Sequence, residues 1–245
     1  MKSRASYSDA EKAVRDAYDV YPQRFLKKGY RFNTVYLTNK ALSDWSLLAP
    51  IDLCGKQVLN VGCAEPIDEL QFGKCAGAWH AVDFSLKNLR GARQVLQEEL
   101  SACLLNTIHL YAADASALPF QNESFDVVVA FSTLEHIPDP GKRRKSFEEI
   151  ARVLRHGGYA VITTSNAWNL KYRRRSIKDQ RLGQTDFGFE CFYSPLELRR
   201  LLCGMGLRPL RFYSEWRMPN NSYILQVATY LFRFFGTRIG YLAQK

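Results

Sequence analysis

Several large classes of protein are excluded by what this sequence lacks. Its six cysteines (Cys54, Cys63, Cys75, Cys103, Cys191 and Cys203) include no Cys-x-x-Cys pair, so the usual spacing of a structural zinc site is missing. They read as reduced, mostly buried thiols. No uncharged apolar run approaches the roughly 18 residues of a membrane-spanning helix. The opening MKSRASYSDAEKAVRD has none of the apolar character of a secretory leader. The expectation is a cytoplasmic protein. With 15 glycines and 9 prolines in 245 residues, the chain is neither collagen-like nor of low complexity. Its 47% hydrophobic and 24% charged residues fit a globular fold large enough to need no disulfide staples.

The charge is unevenly distributed. Residues 161–245 hold 14 Lys and Arg against five acids, whereas the first 160 residues hold 20 against 19. Nearly all of the net charge of +10 therefore lies in the last third. Such a field concentrates anions, which makes phosphorylated small molecules, nucleic acid and acidic lipid headgroups the candidate partners.

Residues 1–54 read as a polar, helical extension. From residue 57 short apolar runs alternate with amphipathic stretches: QVLNV (57–61), WHAVDF (79–84), IHLYAAD (108–114), FDVVVAF (125–131) and YAVITTS (159–165), with helical patterns near 67–76, 86–103 and 142–155. This rhythm predicts an α/β fold, a doubly wound parallel sheet with helices on both faces, within one domain over 55–245. A basic insertion occupies about 167–190. A helix near 194–205, a strand near 208–213, a mostly apolar helix over 222–235 and a last strand over 237–245 complete the reading.

The first run ends in Asn60-Val61-Gly62-Cys63-Ala64-Glu65-Pro66. A small glycine-bearing turn between the first strand and first helix is where an open parallel sheet lets backbone approach a ligand. Pro66 suits the first helical position. Asp83, at the end of the second run, is placed to accept both ribose hydroxyls of a nucleoside. The dinucleotide fingerprint fails, because glycines are required where Ala64 and Ile67 stand. Glu65 also sets a negative charge where a pyrophosphate would sit. A ligand with an adenosine end and a cationic amino-acid end suits the loop better, as S-adenosylmethionine (SAM) does.

In series, these segments resemble the class I SAM-dependent methyltransferases of the ubiquinone and menaquinone group. VLNVGCAEP is similar to the family's glycine-rich first motif, HAVDFS to its second-strand acidic motif and AADASALPF to its adenine-side motif. SFDVVVAFSTLEHIPDP resembles the fourth-strand motif, and EEIARVLRHGGYAVITTSN the helix and fifth strand. The resemblance covers about 55–215. It implies a seven-stranded Rossmann-like sheet of order 3-2-1-4-5-7-6 with the last strand antiparallel. It implies SAM as cofactor, with Asn60, Gly62, Cys63 and Ala64 around the methionine moiety and Asp83 and Phe84 at the ribose and adenine. Asp114 and Ala115 would lie at the adenine amino group, and Phe131 and Ser132 beneath the sulfonium. Asn60 replaces the family's usual acid, Ala64 its second glycine, and Pro66 stiffens the loop.

Methyl transfer needs alignment, exclusion of water and, for an O or N nucleophile, a base. His136, just past the fourth strand, is the candidate base. In relatives with Glu-x-x-Glu-His at this place a divalent metal binds. Here Ser132 occupies the first ligand position, so no metal is expected. Trp168, Tyr172, Arg173, Arg174 and Arg175 are the candidate acceptor-binding residues, combining stacking surface with bidentate phosphate contacts. The expected acceptor is a small, anionic or lipid-linked molecule. The alternatives are RNA held by the basic third and a non-catalytic SAM-binding protein. Residues 222–238 are the candidate membrane contact.

Overall fold

The computed structural model describes residues 7–26, 44–185, 187–215 and 233–245. The apolar helix expected over 222–235 falls almost wholly outside them, and with it most of the candidate membrane contact.

Seven strands form one sheet: β1 (Gln57–Val61), β2 (Ala78–Asp83), β3 (Ile108–Ala112), β4 (Phe125–Phe131), β5 (Leu154–Ser165), β6 (Arg208–Glu215) and β7 (Arg238–Gln244). Their order is β3-β2-β1-β4-β5-β7-β6. Neighbours from β3 to β5 are parallel, and β7 runs antiparallel to both β5 and β6. The expected architecture is thus observed.

Strand alternation divides the interior in two. Leu59 and Val61 of β1 face a core with Val128 and Ala130 of β4. Helices α6 (Pro140–Val153) and α8 (Pro195–Gly204) close that core through Phe147, Ile150, Leu198 and Leu202. Val58, Val127 and Val129 face the other core. It is covered by α2 (Asp44–Leu48), α3 (Ile67–Phe72) and α4 (Leu86–Glu99) through Trp45, Leu48, Ile67, Leu89 and Leu96. Helix α5 (Ala102–Leu105) is a single turn before β3.

Helix starts follow local chemistry. Ser85, Asp139 and Ser194 cap α4, α6 and α8 by accepting backbone N–H groups, and Ser194 forms a reciprocal capping box with Glu197. Pro66 precedes α3 rather than opening it. The stretch after Asn166, read from sequence only as a polar basic insertion, contains α7 (Leu170–Leu182), started by the Asn169 side chain and stopped at left-handed Gly183. No residue of α7 is buried, so no apolar stripe announced it. Helix α1 (Tyr7–Leu26) lies beside α4, where Asp19 accepts from Ser85 Oγ at 2.9 Å and pairs with Lys87 at 3.2 Å. All six cysteines are free, but the expectation of mostly buried thiols fails: Cys63 alone is buried and four are exposed. Among the described residues, no helix is long and apolar enough to cross a membrane.

Candidate active site

A cavity of about 710 Å³ opens at the C-terminal ends of β1 to β5. This is the edge at which an open α/β sheet offers loop backbone to a ligand. Gly62 (φ +78°) and Ala64 (φ +41°) turn the first loop through left-handed conformations beside it. The N–H groups of Gly62 and Cys63 both donate to Val82 O, at 2.8 and 3.1 Å, which lashes the loop to β2. Thr133 Oγ1 donates to Val61 O at 2.9 Å and ties the end of β4 to the same loop. Ser132 is also left-handed (φ +51°), an uncommon state for a residue with a Cβ, and it lies on the cavity wall.

Asp83 is buried, and burial pushes its carboxyl up from the ordinary value. Oδ2 accepts Ala64 N–H at 2.9 Å, while Oδ1 accepts Ser85 N–H at 2.8 Å and Asn88 Nδ2 at 3.3 Å. A carboxylate has about four acceptor positions. Three are taken by the protein, which leaves Oδ2 room for one ribose hydroxyl rather than two. Asp114 is exposed and folds back on its own turn, accepting from Ser116 N–H and Oγ at 2.8 and 2.7 Å.

Asn60 does not line the cavity. Its buried side chain donates to Glu69 Oε1 at 2.8 Å, and Trp79 Nε1 donates to the same oxygen at 3.0 Å. Asn60 thus serves as a buried donor to Glu69 of α3, which does not line the cavity either. Glu69 was invisible to motif reading because it belongs to α3, not to the glycine-rich segment. Burial, with Asp68 beside it, pushes its carboxyl up to about 7. With the folded value above the unfolded one near 4.5, the associated stability is complete below about pH 4.5 and is lost as pH rises through about 7. Glu69→Gln keeps an oxygen for both donors and removes the charge. Thermal melts from pH 5 to 8 should show the wild type losing on the order of 2–3 kcal/mol that the variant retains. Parallel curves would remove the charge on Glu69 from the account.

His136 closes a short 3-10 turn after β4 and is buried at the cavity wall. Its Nδ1 lies 2.8 Å from Phe189 O. A carbonyl only accepts, so in neutral His136 the proton sits on Nδ1 and the lone pair on Nε2. Helix α1 forms the roof. Tyr18 packs edge-on to Phe84 and His136, with ring centroids 5.5 and 6.0 Å apart, and Glu11 pairs with Lys142 at 2.9 Å. None of these roof residues was found from sequence, since an amphipathic helix does not declare what it will cover.

The other expected cofactor residues, Gly62, Cys63, Ala64, Asp83, Phe84, Asp114, Ala115, Phe131 and Ser132, all line this cavity, and so does Tyr172. Trp168, Arg173, Arg174 and Arg175 do not line it. Trp168 packs on Phe234 and Phe235, while the three arginines are exposed on α7. Among the described residues no cluster of His, Cys, Asp and Glu is arranged to hold a metal ion.

A family profile described as a methyltransferase domain matches residues 59–162. The ubiquinone biosynthesis O-methyltransferase of Ralstonia nicotianae is 26% identical over 159 residues, covering 65% of this chain and 63% of that protein. Its counterpart in Cupriavidus pinatubonensis is 30% identical over 160 residues, covering 63% of this chain and 61% of that one. Over the matched segment the chain resembles the class I SAM-dependent methyltransferases. It matches somewhat less than two thirds of the length of these two relatives. The methyltransferase fold recurs in a SAM-dependent methyltransferase from Methanosarcina mazei, with TM-score 0.57 and 23% identity over 78% of this chain and 92% of that one. It recurs also in geranyl diphosphate C-methyltransferase of Streptomyces coelicolor crystallised with S-adenosylhomocysteine, with TM-score 0.59 and 12% identity over 82% and 77%.

The residues of this methyltransferase domain fit SAM. The loop is close-packed and left-handed where backbone must approach the ligand, and Asp83 keeps one acceptor position for ribose. Glu65 and Asp68 on the cavity wall favour a cationic methionine end over a pyrophosphate.

Proposed function

We propose that this domain transfers the methyl group of SAM to an O or N atom of a small acceptor, with His136 as the base. The observation that carries the reading is the cavity itself: one continuous space runs from the Gly62 loop and Asp83 to the buried His136. When bound, SAM supplies an electrophilic methyl group on a sulfonium. Asp83 Oδ2 would hold one ribose hydroxyl, the Gly62–Ala64 backbone would lie along the methionine moiety, Phe84 would flank the adenine, and Asp114 would face its amino group. Phe131 and Ser132 form the floor, and Tyr18 with Phe187 screens the reacting atoms from water. His136 Nε2 would take the proton from the acceptor's O–H or N–H as the methyl group passes to that atom, the S–C bond of the sulfonium breaking to leave S-adenosylhomocysteine.

Calorimetric titration with SAM, S-adenosylhomocysteine and NAD tests the first half, with binding of the first two and not of NAD expected. Absence of SAM binding would overturn the reading. For the second half, His136→Asn keeps a donor for Phe189 O and removes the base. It should lower kcat by about a hundredfold or more with SAM affinity unchanged. Loss of affinity with kcat intact would make His136 a structural residue.

RNA is the second reading for the acceptor, favoured by one observation. Lys171, Arg173, Arg174, Arg175, Lys178 and Arg181 are all exposed on α7. RNA binding that weakens steeply with salt, together with methyl incorporation into RNA, would select it.

A further inference from the structure

Beyond the cofactor loop, the cavity is walled by carboxylates rather than by the cations that dominate the C-terminal third. Glu135 is only 1% exposed, lines the cavity, and its Oε2 has no hydrogen-bond partner. A buried carboxylate oxygen without a donor is costly unless a ligand supplies one. Glu190 lines the same space. Tyr172 donates to its Oε1 at 2.9 Å, as does Ser165, and Ser176 donates to Oε2. Three hydroxyls thus hold this carboxylate in place and none neutralises it.

The nearby cation is already matched. Arg238 pairs with buried Asp44 at 3.2 Å, so the wall formed by Asp44, Glu135, Glu190 and Arg238 keeps an excess of negative charge when its carboxyls are ionised. Three rings, Tyr18, Phe187 and Tyr172, line the cavity too, and the Phe187 and His136 centroids are 4.9 Å apart. Aromatic faces beside carboxylates are the arrangement that recognises a desolvated organic cation.

We propose that the acceptor is an amine, that Glu135 and Glu190 hold it as its ammonium with the rings of Tyr18, Tyr172 and Phe187 around its carbon atoms, and that one N–H proton passes to His136 Nε2 to free the nitrogen lone pair for the methyl group. This deepens the proposed methyl transfer and rests on it. Burial raises the Glu135 carboxyl above its ordinary range even with His136 and Arg238 acting against it, and a cation arriving at Oε2 would add to that counter-charge. The same wall disfavours an anionic acceptor.

The test uses the full chain saturated with S-adenosylhomocysteine. Three probes of similar size are titrated calorimetrically: tyramine, neutral 4-ethylphenol and anionic 4-hydroxyphenylacetate. Tyramine should bind at least about tenfold more tightly than either of the others, the increment of one charge-assisted contact. Glu135→Gln and Glu190→Gln should each abolish that preference while S-adenosylhomocysteine binds as in the wild type. Two isosteric variants, each checked by thermal melting, guard against a fold defect in one of them. Equal affinity for the three probes, a preference for the anion, no binding of tyramine, or a preference that survives in both variants would overturn the amine assignment and leave methyl transfer standing. Failure of S-adenosylhomocysteine to bind the wild type would overturn both.

Discussion

Gly62→Ala is expected to weaken SAM binding by about a hundredfold or more and to lower the melting temperature. A Cβ at position 62 would lie 2.1 Å from Thr133 Cγ2 and 2.5 Å from its Oγ1, and the residue holds φ +78°. The left-handed backbone costs a side chain roughly 1–2 kcal/mol, and overpacking against a fixed neighbour adds about 1–3 kcal/mol. Thr133 cannot turn away without giving up its bond to Val61 O. The loop must therefore move, and with it the backbone that lies along the cofactor. Gly183 is the control: it is also left-handed (φ +67°), but nothing lies within 4 Å of its added Cβ. Gly183→Ala should cost only about 1 kcal/mol and leave binding intact. Combining Gly62→Ala with Thr133→Ala removes the two closest atoms and should recover part of the loss, a non-additivity that a double-mutant cycle measures. Wild-type affinity in the single Gly62→Ala protein would show that the loop does not hold the cofactor.

Asp83→Ala should reduce SAM affinity by more than about tenfold and also destabilise the fold. The carboxylate anchors Ala64 N–H of the first loop and Ser85 N–H at the start of α4. Removing it strands two backbone donors, each worth about 1–3 kcal/mol when buried and unpaired. A total near 4 kcal/mol corresponds to a drop of roughly 10 °C in a domain of this size. Stability and affinity separate under calorimetry below the melting range. Unchanged SAM affinity in a destabilised protein would leave Asp83 as a brace for the loop with no contact to ribose.

These two residues show how far a sequence can be read. Gly62 and Asp83 were legible because they punctuate strands: one ends the first apolar run, the other the second, and their chemistry follows from position on an open sheet. Asn60 was legible as a departure from pattern but not as a donor, because its partner Glu69 comes from the following helix. Arg173, Arg174 and Arg175 show the opposite limit, since they lie exposed on α7 and off the cavity wall. A cationic run declares its charge, and nothing local says whether the helix bearing it faces a cavity or the solvent. The six cysteines were expected to be mostly buried, yet Cys54, Cys75, Cys103 and Cys203 lie outside, since burial is a property of the packed chain.

The sequence by itself determined the strand rhythm, the glycine-bearing turn after β1, and the places of Asp83 at the end of its strand and His136 just past the fourth. Each follows from a residue's own backbone preference or from its place in a short period. The tertiary structure decided the site's polarity and its roof. Only the packed fold brings Glu135 on the β4 turn, Glu190 after α7, and Asp44 with Arg238 onto one wall, and lays Tyr18 of α1 across it. Those groups lie far apart along the chain, and the energies that join them, desolvation and charge pairing, act through space.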